Sequence, residues 1–433
     1  MNLKKKIVYV GLAADILHEG HINIIEKSRK LGTVIVGLLT DEAISTYKKL
    51  PYLNYRQREV VLKNMKSVDK VIPQKTLSYV DNLNLLKPDF VVHGDDWKKG
   101  IQKKTRRDVI KTLKKWSGKL IEPKYTSGIS STDIRKKILE VGTTPEIRKS
   151  RLKRLINSKD IVRVLESHSA LTGLIIENIS ISKANKRCEF DAMWSSSLTD
   201  SALKGKPDNQ VVDYSSRMSN LSDLLDVTTK PIIFDADNGG RIEHISYLVK
   251  SLERLGLSAM VIEDKIGLKK NSLFKDQKNT KQDSIKNFCK KIKKAKESKI
   301  NEDFMIVARI ESLILGKSVD DALKRAEAYS KSGADAIVIH SKDKNPREIF
   351  KFAKKFKKSK FFKPMIAIPS TYSSVYEKEL IKQGFKVVIY ANQLMRASYT
   401  AMYNVAEKIL KNQRSKDIEN KICSVSEIIN LIK

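Results

Sequence analysis

Apolar residues fall into short unbroken runs separated by stretches with helical spacing. In the first third of the chain the runs are IVYVGLA (7–13), TVIVGLL (33–39), DKVIPQ (69–74) and DFVVHG (89–94), and between them lie the helical stretches HINIIEKSRKLG (21–32) and REVVLKNM (58–65). Unbroken apolar runs are what strands buried on both faces require, so strand then helix, repeated, predicts a parallel α/β sheet. Around VGTTPEIRKSRLKRL (141–155) the alternation gives way to a basic, proline-containing helical stretch. This predicts a domain over 1–145, a linker over 146–152 and a second domain over 153–433. The second domain shows FDAMWSSS (190–197), KPIIFDADNGG (230–240), SAMVIEDK (258–265), FMIVARIES (304–312), ADAIVIHS (334–341), KPMIAIPST (363–371) and FKVVIYANQ (385–393), with helical stretches such as VDDALKRAEAYSKSG (319–333) between them. Seven or more such units, each strand ending in polar residues, predict a (β/α)8 barrel with its site at the C-terminal rim. A long open sheet is the alternative.

The 433 residues are 41% hydrophobic and 31% charged, enough for more than one core. No run approaches 18 apolar residues, so no membrane-spanning helix is expected. The N-terminal run is broken by Asp15, His18 and Glu19 and reads as a first strand, not a signal peptide. Cys188, Cys289 and Cys423 are far apart with no CxxC spacing, which argues against a disulfide framework or a zinc site and for a reducing cytoplasm. The net charge of +34 is the usual footprint of a nucleic-acid binder. It is spread evenly, however, with +15 in residues 1–150 and +19 in the rest, and 65 Lys outnumber 19 Arg. Base and phosphate recognition favour Arg forks interleaved with aromatics. The sequence therefore predicts no specific nucleic-acid partner, with loose attraction to polyanions as a side effect.

At the end of the first strand, DILHEGH places His18 and His21 around Gly20 where a helix should begin, a composition suited to phosphate. Two capping histidines would give the same pattern. A second segment, YTSGISSTDIRKKI (125–138), sets a glycine and several hydroxyls before a helix carrying Arg135. Together, HEGH and ISSTDIR resemble the signature pair of the cytidylyltransferase-like nucleotidyltransferases. The resemblance implies a Rossmann-like domain that transfers a nucleotidyl group from CTP or another nucleoside triphosphate to a phosphate or phosphonate. His18 and His21 would stabilise charge on the α-phosphate, with Gly20 between them, while Ser130, Ser131, Thr132 and Arg135 would hold the outgoing phosphates. Gly94, Asp95 and Trp97, in HGDDW, lie where base or acceptor contacts are expected, although Trp97 can equally be a core residue. The chain departs from the family at Ala14, which replaces the usual aromatic before Asp15, and in a Gly-to-Asp spacing one residue longer.

In the second domain FDADNGG sets Asp235 and Asp237 two residues apart at a strand end, so both carboxylates point to one side. VIEDK adds Glu263 at the next strand end. Oxygen ligands gathered this way suit Mg2+. Arg309 and His340 end two further strands, and the glycine-containing segment 263–274 can close over the rim as a lid. MWSSSL, KPDN, DADNGG, EDKIGLKKNS, ARIES and IPSTY, in this order over residues 153–405, resemble phosphoenolpyruvate mutase of the isocitrate lyase superfamily. The resemblance implies interconversion of phosphoenolpyruvate and phosphonopyruvate, a step of phosphonate biosynthesis. It makes Asp235 the direct Mg2+ ligand, with Asp208, Asp237 and Glu263 holding the metal's waters. Ser196 and the amides of Ser197 and Leu198 would bind the pyruvyl carboxylate, and Trp194 would pack on the enolate. Lys269, Asn271 and Ser272 would lie on the lid, and Asn271, Ser272, Arg309 and His340 would surround the phosphoryl group.

The lid holds no Cys, which disfavours the carbon–carbon lyases of the superfamily. Phosphonopyruvate hydrolase is the nearest competitor, and Asn271 favours the mutase. Ser197 stands where the family has Gly, the stretch after Asp208 differs, and SISKANKRCEFDAM lengthens the approach to Trp194. An alternative of another class is a basic nucleic-acid-binding or scaffold protein. Residues 394–412 carry Leu394, Met395, Ala397, Ala401, Met402, Val405, Ala406 and Leu410 close to helical spacing, so one face calls for cover. Since the superfamily exchanges a C-terminal helix between protomers, the resemblance implies a homo-oligomer, dimer or tetramer.

Overall fold

The computed structural model describes residues 5–98, 100–124, 145–183, 186–274, 276–277 and 279–431. Near the N-terminus, strands β1 (Ile7–Leu12), β2 (Thr33–Leu39), β3 (Lys70–Gln74), β4 (Phe90–Val92) and β5 (Lys119–Ile121) form one sheet in the order β3-β2-β1-β4-β5. All pairs are parallel, with Val10 level with both Val36 and Val92. Val8, Val10, Val34, Val36 and Val92 pack on one face. Tyr9, Leu83, Val91, Trp97, Val109 and Leu113 pack on the other, which is why the runs are apolar throughout. A Cβ at Gly37 would overlap the Tyr9 phenol, so the aromatic in β1 fixes a glycine in β2. Strand order reverses between β1 and β4, opening a crevice at their C-terminal ends. The sequence runs did not include β5, whose three residues KLI are too short to stand out.

Residues beyond 160 form a closed barrel of eight parallel strands, and an open sheet is excluded. The strands are Val162–Glu166, Ala192–Ser195, Ile232–Asp235, Ala259–Glu263, Met305–Ile310, Ala336–Ile339, Met365–Ala367 and Phe385–Tyr390, with the last pairing with the first from Val387–Val162 to Tyr390–Leu165. Seven match the apolar runs. The first carries no unbroken apolar run, because Arg163 interrupts it; that side chain points outward to Glu377 at 2.7 Å.

Alternate strand residues face inward. Val164, Ala192, Ile233, Val261, Val307, Val338, Ile366 and Ile389 share the interior cluster. Their sequence neighbours Met193, Phe234, Met260, Ile306 and Ile337 pack in the outer layer of strands and helices. Continuing the two-residue step to the C-terminal rim brings Asp235, Glu263, Arg309 and His340 onto the inner face. Polar residues thus succeed apolar ones on the same side of each strand.

The stretch 146–152, expected as a linker, lies in the helix Pro145–Ser158, whose Leu152, Leu155 and Ile156 join the barrel's interior cluster. Leu50 of the N-terminal domain joins the same cluster, so the two domains share buried apolar surface. At the other end, the helix Gln393–Asn412 buries none of its residues. Among the described residues no helix is long and apolar enough to cross a membrane.

Arg217 ties the barrel's second and third strands together from outside. Its guanidinium is buried, with Nε donating to Asp200 at 2.8 Å, Nη1 to the Asp235 carbonyl at 2.5 Å and Nη2 to the Ser195 carbonyl at 3.2 Å. It also lies 4.1 Å from the Phe234 ring. Removing one partner of a buried ion pair leaves the other charge uncompensated. Asp200→Asn should therefore lower barrel stability by about 3 kcal/mol, read as a fall in the urea midpoint. An unchanged midpoint would show that the Arg217 charge is satisfied without Asp200.

Candidate active sites

A small cavity opens at the barrel's C-terminal rim, lined by Trp194, Ser196, Ser197, Leu198, Asp208, Asp235, Glu263, Lys269, Asn271, Ser272, Arg309 and His340. These are all the barrel residues expected in the site except Asp237, whose carboxylate sits immediately beside it and pairs with Lys269. The segment after Glu263 returns through a short antiparallel pair, Lys265–Ile266 with Lys281–Gln282. That pair anchors the lid's base, and its three polar residues reach down to the rim.

Lys269 is the centre of an acidic group. Its ammonium lies 2.8 Å from Asp208 and pairs with Asp237 and with the Ser197 hydroxyl, which itself donates to Asp235 at 3.0 Å. Burial opposes the Lys269 charge, yet Asp235, Asp237 and Asp208 hold its pKa above the usual lysine value. Asp235 is likewise kept below the ordinary range despite burial, by Lys269, Arg309 and Arg217. Burial wins at Asp237, which is pushed up. Asn271 Nδ2 donates to the second oxygen of Asp208 at 2.7 Å, so Asp208 meets the lid through both oxygens.

A second group lies across the cavity. Arg309 donates to Glu311 at 2.5 Å and to the Ser272 hydroxyl at 2.8 Å, and lies 3.4 Å from Glu263 and 3.0 Å from His340 Nδ1. Lys265 donates to Ser272 at 2.8 Å and lies 3.3 Å from Glu263 and 3.6 Å from Glu311. Burial raises the Glu263 carboxyl to about 7 against the pull of Arg309 and Lys265. Glu311 is buried as well, but Arg309 and His340 hold it well below the carboxylate range. Burial first, then Arg309, lowers His340, leaving a neutral imidazole at pH 7.

Among the described residues no three His, Cys, Asp or Glu side chains converge as direct ligands of one ion. The donor set nevertheless fits hydrated Mg2+, which keeps several waters and takes one or two carboxylates. Asp208, Asp235, Asp237, Glu263 and Glu311, with Asp200 behind them, face Lys265, Lys269, Arg309 and Arg217, so the fully ionised group lacks two positive charges. A divalent cation supplies two.

In the N-terminal domain a cleft lies at the crevice between β1 and β4, with Gly11, His18, Gly20, His21, Lys48, His93, Gly94, Asp96 and Trp97 on its walls. His18 caps the helix Glu19–Arg29, its Nδ1 accepting the Gly20 N–H at 3.2 Å, and its ring centre is 4.1 Å from that of His21. Burial lowers both imidazoles; His21 reaches about 4, helped by His18 and Lys48. Trp97 serves as both wall and core: it is 1% exposed, stacks on His93 at 3.9 Å and donates to Glu122 at 2.7 Å. The side chain of Asp95 is not on the cleft wall. It lies 3.9 Å from Lys98, and Asp96 is on the wall instead. Ser130, Ser131, Thr132 and Arg135 lie outside the described residues. Ala14 takes a left-handed φ of 49°, a conformation that costs an alanine roughly 1 kcal/mol. The Asp15 carboxylate accepts the Tyr52 N–H at 2.6 Å.

Several site residues had gone unassigned in the sequence. Glu311 was within reach, because ARIES places it two residues after Arg309 in the same alternation. Lys265 sits in VIEDK by the same logic, two residues after Glu263. Arg217 left no local signal, since it lies inside the helix Tyr214–Asp226 and acts only through tertiary contacts. Lys48 and His93 enter the nucleotide cleft from loops whose course the strand pattern does not fix.

Residues 152–410 match the family model described as phosphoenolpyruvate phosphomutase, and residues 9–137 match the one described as cytidylyltransferase-like. The chain is 36% identical over 283 residues to a phosphoenolpyruvate phosphomutase of Tetrahymena pyriformis, covering 65% of this chain and 90% of that one. It is 32% identical over 271 residues to a phosphonopyruvate hydrolase of Variovorax sp., covering 62% and 91%. Over 136 residues it is 32% identical to a glycerol-3-phosphate cytidylyltransferase of Staphylococcus aureus, covering 31% of this chain and 95% of that one. With more than half of its length matched and the rim residues assembled around one cavity, the chain belongs to the phosphoenolpyruvate phosphomutase family and carries a cytidylyltransferase-like domain ahead of its barrel.

Proposed function

We propose that the barrel interconverts phosphoenolpyruvate and phosphonopyruvate with Mg2+, and that the N-terminal domain transfers CMP from CTP to a phosphate or phosphonate. The observation that carries the first reading is the lid: Asn271 and Ser272 come down on the cavity that holds Arg309 and His340. Asp235 would hold Mg2+ directly, with Asp208, Asp237 and Glu263 on its waters, and the ion would supply positive charge to stabilise the enolate. Ser196 and the first amides of the helix Ser197–Leu203 hold the carboxylate, and Trp194 covers the flat enolate. Arg309, His340, Asn271 and Ser272 surround the phosphoryl group as its bond to the enol oxygen breaks and its bond to C3 forms, the enol becoming a ketone. The lid excludes the water that would turn transfer into hydrolysis. Phosphorus NMR with phosphonopyruvate and Mg2+ tests the reading: phosphoenolpyruvate should accumulate, whereas inorganic phosphate would establish a hydrolase.

In the N-terminal cleft, the neutral imidazoles of His18 and His21 donate N–H bonds to the α-phosphate as charge builds there. The cytidylyltransferase-like match and the crevice at the strand reversal support CTP. The exposed apolar side of the C-terminal helix, with Tyr399 65%, Met402 62% and Leu410 80% exposed, supports pairing with a second copy. The cysteines, unpaired among the described residues, support a reducing cytoplasm.

Asp235→Ala should abolish phosphonopyruvate conversion and leave nucleotidyl transfer intact; loss of both in a folded variant would argue against separate sites. Asn271→Ala should lower mutase turnover about 100-fold with a smaller loss of Mg2+ affinity, because its role toward the transferring group outweighs its bond to Asp208.

His18→Ala and His21→Ala should each slow nucleotidyl transfer about 100-fold, the scale of a lost oxyanion donor. A bound triphosphate stabilises the imidazolium and raises the His21 pKa from about 4, so between that value and the bound one, binding takes up a proton. Calorimetry of CTP binding in buffers of different ionisation enthalpy should show uptake near pH 5.5 and none at pH 8; uptake absent at both would refute this placement of His21. Light scattering at micromolar concentration should show at least a dimer, and a fully active monomer would reject the helix pairing.

A further inference from the structure

The wall of the nucleotide cleft formed by Tyr47 and Lys48 belongs to a segment whose other side is fastened to the barrel. Immediately after Lys48, the Lys49 ammonium lies 3.1 Å from Glu177, a carboxylate on the barrel's first helix. That carboxylate is itself fixed by the hydroxyls of Thr228 at 2.8 Å and Thr229 at 3.2 Å. Leu50 follows, only 4% exposed, in the barrel's interior cluster with Leu152, Leu155 and Ile156. On the near side, the Ser45 hydroxyl donates to the Ser158 carbonyl at 2.9 Å. Beyond Leu50, Arg154 of the connecting helix donates to the Tyr52 carbonyl at 2.9 Å and pairs with Asp41 at 3.1 Å.

These contacts continue into the cleft. The Tyr52 amide donates to Asp15, in the turn that leads to His18. Asp41 also pairs at 2.7 Å with the fully buried Arg58, whose Nη1 donates to the carbonyls of Ala13 at 2.5 Å and Leu39 at 2.9 Å, at the ends of β1 and β2. Ser45 and Lys49, on either flank of Tyr47–Lys48, are thus tied to the connecting helix and to the barrel, while Tyr47 and Lys48 line the cleft.

We infer that Leu50 and Lys49 are positioning residues for nucleotidyl transfer: by docking on the barrel they fix the Tyr47–Lys48 wall, so the N-terminal site is assembled only while the domains are joined. This rests on the nucleotidyltransferase reading of the cleft. The free-energy source is the burial of Leu50, together with a partly shielded ion pair, against the entropy of an otherwise exposed loop. A loop held this way binds its ligand without ordering cost, whereas a released one must be ordered at each binding event.

The test uses the full chain. In Leu50→Ala, CTP affinity measured by calorimetry should fall about tenfold and amide exchange should quicken over 45–50, while phosphonopyruvate conversion stays at the wild-type rate. Leu50→Met, which refills the volume, should restore both. Lys49→Met, which leaves the apolar contact intact, should weaken CTP binding two- to threefold in the same direction and guards against a misfolded Leu50→Ala. Wild-type CTP affinity in Leu50→Ala and Lys49→Met alike would overturn the inference. Should the wild type not bind CTP at all, the nucleotide reading fails, and the exchange rates alone decide whether the barrel holds the wall: faster exchange over 45–50 in Leu50→Ala supports it, unchanged exchange overturns it.

Discussion

Closure of eight parallel strands forces each one to alternate strictly between an apolar interior and a helical outer layer. Every chemical group at the rim inherits its direction from that alternation. Asp235, Glu263, Arg309 and His340 occupy the inner positions that follow Ile233, Val261, Val307 and Val338. A shift of one residue in any strand would turn its functional side chain into the helix layer and break the apolar packing of the whole element, so the fold protects the site's geometry through the core. Arg217 reinforces this where two strands must stay level, by holding the last carbonyls of Ser195 and Asp235 from a single guanidinium.

The two sites use charge in different ways. The barrel site is crowded with carboxylates and cations that pair through short contacts, and its carboxylates outnumber its cations. Rigid, preorganised dipoles of this sort are what a phosphoryl transfer between oxygen and carbon demands, because water must be absent when the bond to oxygen breaks. The nucleotide cleft holds neutral imidazoles instead. Burial keeps His18 and His21 uncharged, which suits a task of donating hydrogen bonds to an anion that arrives with its own charge.

Much of this was legible from the sequence, because the strands are short, apolar and flanked by motifs of fixed order. The rim residues could be read wherever function follows the two-residue step, as at Asp235 and Glu263. What escaped depended on tertiary contact. Val162–Glu166 was hidden by an arginine whose partner, Glu377, is 214 residues away. The basic helical stretch between the domains packs against the barrel interior through Leu152, Leu155 and Ile156, which the basic residues around them conceal. Asp95 and Asp96 are adjacent acids, and only the course of the loop decides which of them faces the cleft.

The barrel's docking to its companion has a consequence for how material moves through the molecule. The connecting helix ends at Ser158, just ahead of the first strand, so Ser45 and Leu50 engage the barrel at its N-terminal end. The rim cavity opens at the opposite end, beyond strands of up to six residues and hence about 20 Å away through a filled interior. Among the described residues the side chains of the barrel interior fill that path. A compound made at the rim would have to leave the barrel and travel around it to reach the cleft of the same chain.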